Sequence, residues 1–300
     1  MGFLKQSSLL LPLCFFLVSG IFPFLAISVD NTKLVYKGCA DQKFSDPNGI
    51  YSQNLKSLYN SLLSQSAQKP FATTTAGQGQ NAITGWFQCR GDLATDQCSD
   101  CVSKIPEMAN NLCPNSVSAR VQLTGCYLRY EISGFKQISG SELLYKLCGS
   151  IKASGTGFGV KRDTAFEMME DGVKSGSSLF YTGTYQSVYV LAQCEGDLGA
   201  NDCGDCVKNA AQRAVSECGD SISSQIYLQK CYISYRYYPN GVPNPDGPNI
   251  SSSPGPETGQ NHTQRTAAIA VGGVAALGFL IACLLCAKSV MKKRGRKYEG

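Results

Sequence analysis

A chain of 300 residues with 15 cysteines is long enough for about two domains of ~100–150 residues each. Its net charge of +5 equals that of the last 13 residues, which hold six basic residues and one acidic residue. The body of the chain is therefore near neutral, so we expect no nucleic-acid partner. Because the single histidine, His262, lies outside the cysteine-rich region, we also expect no metal centre, no cofactor and no enzyme activity.

The N-terminal segment 1–28 has the pattern of a secretory signal peptide. Lys5 supplies a positive charge, the apolar stretch 9–24 follows it, and small residues suited to cleavage end the segment. The alternative, a first transmembrane helix, is disfavoured because Pro12 and Pro23 interrupt the apolar stretch and no basic cluster follows. We therefore expect the mature chain to enter an oxidising compartment.

Two copies of one domain follow, at about 30–140 and 141–240. QCRGDLATDQCSDCV and QCEGDLGANDCGDCV share the spacing C-x8-C-x2-C, and both continue with gaps of 11 and 12 residues to two further cysteines. Each of these five cysteines recurs 105 positions later, which indicates an internal duplication. Six cysteines per copy in a secreted chain predict three disulfides per copy. The oxidising compartment disfavours a zinc site at C-x2-C. A thioredoxin-like redox centre is disfavoured because neither C-x2-C follows an obvious βαβ pattern and each has four further cysteines to pair with.

Each copy carries signals for both helices and strands. Apolar spacing predicts a helix at about 49–68 in copy one and a weaker counterpart at 165–174 in copy two, after a loop at 155–160. A second helix is predicted after each C-x2-C, with Pro106 in its first turn, where a missing N–H is tolerated. The predicted strands are TGWFQC, ARVQLTGCYLRYEIS, YQSVYVLAQC and SQIYLQKCYISYRYY. The expected fold class is α+β, with two helices on one face of an antiparallel sheet in each copy.

The last 60 residues differ in composition from the two copies. Segment 241–266 is rich in Pro, Gly and Ser, which predicts a stalk, and its sequons at Asn249 and Asn261 are expected glycosylation sites. Segment 267–287 has 21 residues without a charge, enough for a helix that spans ~30 Å of hydrocarbon. The basic tail 288–300 then places the C-terminus in the cytoplasm. Together these features predict a single-pass type I plasma-membrane protein with one transmembrane helix.

Two cysteines near the cytoplasmic end of that span have two interpretations. Cys283 and Cys286 are either S-acylation sites or plain apolar residues of the span.

The cysteine pattern resembles the plant DUF26 domain, also called the ginkbilobin-2-homologous or salt-stress-response/antifungal domain. The resemblance rests on C-x8-C-x2-C set in QC-x-GDL…C-x-x-CV, followed by a C-Y strand, and it covers about 30–240. It implies that the first cysteine of each copy pairs with the fifth, the second with the third, and the fourth with the sixth. The implied pairs are Cys39–Cys113, Cys89–Cys98, Cys101–Cys126, Cys148–Cys218, Cys194–Cys203 and Cys206–Cys231.

The whole architecture of signal, two DUF26 copies, one span and a short basic tail resembles the plasmodesmata-located protein family. That resemblance implies a place in the plasma membrane at plasmodesmata and a role in cell-to-cell transport, callose deposition and plant defence. It implies protein partners at the membrane or on the cell-wall side, self-association, and viral movement proteins as partners. We expect no receptor kinase, because only 13 residues follow the span. The alternatives are a tethered apoplastic carbohydrate-binding or antifungal module and a kinase-less receptor-like protein.

The resemblance also suggests candidate carbohydrate-binding residues. The mannose-binding member of the domain family uses an Asn after the first cysteine, an Arg six residues before the last cysteine and a Glu five residues after it. Copy one has Ala40, Arg120 and Glu131 at these positions. Copy two has other residues there: Gly149, Gln225 and Arg236. Arg120 and Glu131 are the candidates, and the favoured alternative is a surface ion pair between them, worth ~0–1 kcal/mol.

Overall fold

The structure of the chain is a computed structural model, which describes four stretches: 30–133, 137–154, 156–176 and 178–242. Both predicted copies lie in these stretches. The predicted features outside them are the signal peptide, most of the stalk, the span at 267–287, the basic tail, Asn249, Asn261, Cys283 and Cys286. Within 30–242, apart from the gaps, no helix has the length and apolar character needed to cross a membrane.

Each copy folds into one five-stranded antiparallel sheet with two long helices. The elements of copy one are β1 (Leu34–Cys39), α1 (Ile50–Ser66), β2 (Phe71–Ala76), a 3-10 turn (Gly79–Asn81), β3 (Ile83–Cys89), α2 (Thr95–Leu112), β4 (Ser118–Leu123) and β5 (Cys126–Ile132). Those of copy two are β6 (Leu143–Cys148), α3 (Phe158–Ser175), β7 (Phe180–Tyr185), β8 (Val188–Cys194), α4 (Ala200–Cys218), β9 (Ser223–Leu228) and β10 (Cys231–Tyr237). The strand orders β1-β4-β5-β3-β2 and β6-β9-β10-β8-β7 are the same, which confirms the predicted fold class.

The core of each copy lies between its sheet and its helices. In copy one, Leu58 and Leu62 of α1 and Ile105 of α2 are fully buried against Phe87 of β3 and Leu128 of β5. The apolar spacing of α1 places these side chains on one helix face, and the alternation of each strand sends every second side chain to the helices. The other face of each sheet is left free for a different contact.

Three disulfides hold the second helix of each copy to its sheet. They join Cys39–Cys113, Cys89–Cys98, Cys101–Cys126, Cys148–Cys218, Cys194–Cys203 and Cys206–Cys231. These are the six pairs that the family resemblance implies. In copy one, two pairs have a cysteine within α2 and the third has Cys113 directly after it. In copy two, all three pairs have a cysteine within α4, which ends at Cys218.

Two local predictions were wrong. Helix α2 begins at Thr95, before the C-x2-C, so Pro106 lies in the helix interior and not in its first turn. The disulfides at Cys98 and Cys101 hold the preceding turns in place despite the hydrogen bond that the proline removes. The segment 155–160 is not a loop throughout, because α3 begins at Phe158, whose ring is buried beside Tyr237.

Candidate functional site

The two copies pack against each other through the sheet faces that point away from their helices. The backbone N–H of Gly196 donates to Oε1 of Gln88 at 2.9 Å, and the N–H of Gly91 donates to Oε1 of Gln193 at 2.8 Å. Gln88 corresponds to Gln193, and Gly91 to Gly196, each 105 positions apart. The same contact is therefore made twice with the roles of the copies exchanged, as in an isologous dimer interface.

Glycine is required at both positions of this contact. A Cβ at Gly91 would lie 2.5 Å from Cγ of Phe180, and one at Gly196 would lie 2.6 Å from Cγ of Phe71. Phe71 and Phe180 begin the corresponding edge strands β2 and β7. Each aromatic ring thus packs onto a bare backbone of the other copy, which brings the backbone N–H within reach of the glutamine.

The charged groups of the interface break this symmetry. Glu195 is 2% exposed and accepts hydrogen bonds from Nη2 of Arg129 at 2.8 Å, from Nζ of Lys230 at 2.6 Å and from the hydroxyl of Tyr127. Burial alone would raise the pKa of Glu195, but Arg129, Lys230 and Tyr127 outweigh burial and hold that pKa below its ordinary value. Copy one supplies the arginine and the tyrosine, and copy two supplies the acid.

Copy one has the opposite charge at the corresponding position. Arg90 lies 105 positions before Glu195, is also buried, and donates from Nε to Asp92 of its own copy at 2.6 Å. The counterpart of Arg129 in copy two is Ser234. Two molecules of copy one would bury arginine against arginine, so this charge pattern favours pairing between unlike copies.

The structure separates the two candidate carbohydrate-binding residues. Nη1 of Arg120 donates to the carbonyl of Gln229 in copy two at 3.1 Å, and its guanidinium lies 3.9 Å from the ring centroid of Tyr127. Glu131 accepts a hydrogen bond from Nε2 of Gln137 at 2.6 Å. No ion pair joins Arg120 to Glu131 in this described part of copy one, so the predicted surface ion pair is wrong. Carbohydrate binding by these residues stays a prediction.

A groove of about 640 Å³ opens in copy one between α1 and α2. Side chains from one face of each helix line it, together with Tyr130 of β5 and the segment that follows α2. Tyr59 lies in its wall, is 7% exposed, and its enclosed hydroxyl has no hydrogen-bond partner among the described residues. This groove could not be predicted from the sequence, because the apolar spacing of the helices predicts only a stripe that faces the core.

The unpartnered hydroxyl of Tyr59 leads to a stability prediction. Tyr59→Phe is expected to leave the free energy of unfolding unchanged or to raise it by ~1 kcal/mol, since no hydrogen bond is lost. Tyr130→Phe is the matched control and should lower it by ~1–2 kcal/mol, because the Tyr130 hydroxyl donates to the carbonyl of Ser116 at 3.1 Å. Urea denaturation of the segment 30–242 measures both, and equal losses in the two variants would contradict the prediction.

Comparison with known proteins gives two kinds of sequence match. The family described as salt stress response/antifungal matches residues 38–133 and 147–238. The chain is 53% identical to plasmodesmata-located protein 1 of Arabidopsis thaliana, over 95% of this chain and 97% of that protein. It is 50% identical to plasmodesmata-located protein 2 of Arabidopsis thaliana, over 93% of this chain and 95% of that protein. The chain belongs to the plasmodesmata-located protein family.

A solved structure shows the same arrangement of two domains as this member of the plasmodesmata-located protein family. The crystal structure of the tandem DUF26 ectodomain of the Arabidopsis thaliana cysteine-rich receptor-like protein PDLP8 matches with a TM-score of 0.64 at 29% identity. The match covers 69% of this chain and 98% of that one. The family resemblance drawn from the cysteine spacing is thus confirmed, and the tandem fold with it.

Proposed function

We propose that this chain is a non-catalytic, single-pass type I membrane protein of plasmodesmata that regulates cell-to-cell trafficking. In this proposal the two DUF26 copies lie in the apoplast and act through membrane or cell-wall-side partner proteins on callose deposition and defence signalling. The stalk 241–266 carries glycans at Asn249 and Asn261, and Cys283 and Cys286 of the span 267–287 are the positions open to S-acylation.

The observation that carries the proposal is the extent of the similarity. The domain family matches 38–133 and 147–238, whereas the similarity to plasmodesmata-located protein 1 extends over 95% of the chain. The shared sequence therefore reaches beyond the two domains into segments that the sequence predicts to be signal, stalk and span. A match confined to the domains would support only an extracellular module of unspecified location.

The contact between the copies supports a role in binding. Gln88, Gln193 and Glu195 are buried between the two sheets, so the copies present one combined outer surface to a partner. The lone histidine, His262, lies outside both copies, which agrees with regulation through contacts and not through acid–base chemistry.

Location is the first test of the proposal. The full chain with a fluorescent protein after Gly300 is expressed in leaf epidermis, and the walls are stained for callose. We expect paired puncta across shared walls that coincide with callose, and slower movement of a dye between cells. The matched control lacks residues 30–242 and should not slow the dye. A continuous plasma-membrane outline with unchanged dye movement would contradict the proposal.

Carbohydrate binding is the alternative proposal, and Arg120 and Glu131 are its residues. Binding at Arg120 would have to compete with the carbonyl of Gln229 and the ring of Tyr127. Calorimetry with mannose tests this alternative on the unaltered chain and on the variants Arg120→Ala and Glu131→Gln. The second variant leaves the contact of Arg120 with copy two intact. A heat of binding lost in both variants supports the alternative, and the absence of heat in the unaltered chain rejects it.

A further inference from the structure

The groove between α1 and α2 of copy one has its counterpart between α3 and α4 of copy two, where the side chain of Arg162 lies. The buried residues of α1 recur in α3 with an offset of 107 positions: Leu55, Leu58, Tyr59, Leu62 and Ser66 correspond to Arg162, Ala165, Phe166, Met169 and Val173. Arg162 of copy two therefore stands where copy one has Leu55.

In copy two, Arg162 bridges the two helices. It is 5% exposed, and its Nη1 donates to the carbonyl of Gly219, just after α4, at 2.8 Å. Its Nε donates to Asp163 at 2.9 Å. A long side chain that is anchored at both ends of its guanidinium thus spans the space between α3 and the end of α4.

Copy one lacks this bridge and has also changed the charges around it. Leu55 has no polar group that could make this bridge, and it lines the open groove. Lys56 stands where copy two has Asp163, and Asn115 stands where copy two has Asp220. The cation and both acids of copy two are therefore replaced, and none of the residues that line the groove carries a carboxylate.

The groove has an apolar wall and a polar rim. The apolar part includes Leu55, Leu63, Pro106 and the rings of Tyr59 and Tyr130. Lys56 at the rim is exposed and is the charged residue of the lining, and the amides are those of Asn60, Asn110 and Asn115. Its volume of about 640 Å³ falls within the range of small-molecule sites, roughly 300–1,000 Å³.

We propose that this groove binds a small amphipathic carboxylate. The apolar ring or chain of the ligand packs between Leu55, Pro106 and Tyr130, in the space that Arg162 closes in copy two. Its carboxylate lies at the rim, where Lys56 supplies the positive charge and the side-chain amides donate hydrogen bonds. A cationic ligand is disfavoured because the lining carries a lysine and no acid. The site is separate from the proposed role at plasmodesmata and from Arg120.

Ligand-observed saturation-transfer NMR tests the site with the full chain in lipid nanodiscs, after subtraction of empty nanodiscs. The probe is 4-phenylbutyrate, and its neutral amide, 4-phenylbutyramide, is the matched control ligand. We expect the carboxylate to bind about threefold to fivefold more tightly than the amide, the effect of one exposed ion pair. Absence of saturation transfer to both probes would overturn the proposal.

Three variants identify the position of binding. Lys56→Gln should weaken the carboxylate about threefold to fivefold and leave the amide unchanged, whereas Lys104→Gln, an exposed lysine of α2 outside the groove, should change neither. The double variant Leu55→Arg with Lys56→Asp copies the bridge of copy two and should abolish binding of both probes. Unchanged binding in the double variant would show that the probes bind outside the groove. Equal affinity for 4-phenylbutyrate and its amide would show that the groove does not select a carboxylate.

Discussion

Glu195→Ala is expected to lower the free energy of unfolding by ~3–5 kcal/mol. The carboxylate accepts hydrogen bonds from Arg129, Lys230 and Tyr127, and the side chain of Arg129 is only 8% exposed. Removal of the acid leaves the Arg129 guanidinium buried without its counter-charge. The penalty comes from that unpaired cation, so it exceeds the net contribution of the intact ion pair.

Glu217→Ala is the matched control for this prediction. Glu217 accepts from Lys146 and also pairs with Arg213, but all three side chains are partly exposed on copy two. Solvent screens such pairs, so the loss should be several times smaller than that of Glu195→Ala. Urea denaturation of the segment 30–242 measures both variants, and a loss for Glu195→Ala no larger than the control would contradict the buried-charge argument.

The Glu195 carboxylate also makes the stability of the chain depend on pH. The pKa of Glu195 is lower in the folded chain than in the unfolded chain, where a glutamate has a pKa of ~4.3. The stabilisation that the ionised Glu195 contributes is therefore fully present above ~4.3 and is lost as the pH falls through the lower pKa of the folded chain. The difference in stability between the unaltered chain and Glu195→Gln should therefore be constant from pH 7 to about 5 and shrink below that. A difference that grows on acidification would have the wrong sign.

The sequence predicted the features of the fold that are repeated or periodic. The apolar stripe of α1, the β-formers of β3, β4, β5 and their counterparts, and the 105-residue offset of the cysteines each have a local signature. The edge strands β1, β2, β6 and β7 were missed, and each pairs on one side only. In β2 and β7 the segments FATTTA and FYTGTY also carry small polar residues, which weakens the strand signal. The start of α3 was missed because burial of Phe158 against copy-two strands, a tertiary contact, decides it.

The interface between the copies was hidden for a different reason. Along β5, Tyr127 and Arg129 alternate with the core residues Leu128 and Tyr130, a sequence pattern that is equally typical of a strand with one face in contact with solvent. Alternation divides a strand into two faces, but it does not say what covers the polar face. The available signal was the charge reversal at x in QC-x-GDL, where Arg90 of copy one becomes Glu195 in copy two. Such a charge reversal between otherwise matching segments indicates that the two positions have different charged partners, as they do in the contact between the copies.

Replacement of Cys39 and Cys113 by alanine is expected to lower the free energy of unfolding by about 4.5 kcal/mol, against about 2.5 kcal/mol for Cys89 and Cys98. The first disulfide closes a separation of 74 residues and the second one of 9. Loop-closure entropy in the unfolded chain grows with the logarithm of loop length, so the longer loop gains more freedom when it is opened. Both double variants lose the same atoms, which leaves loop length as the main difference.

Copy two provides the internal control for this comparison. Cys148 and Cys218 are separated by 70 residues, so their replacement should cost within about 0.5 kcal/mol of the loss at Cys39 and Cys113. Urea denaturation of the segment 30–242 without reductant measures all three variants. A larger loss for the 9-residue loop would reject the entropic account. Two separate transitions in a long-loop variant would show that the contact through Gln88, Gln193 and Glu195 does not couple the unfolding of the copies, whereas one transition is expected because those groups are buried between them.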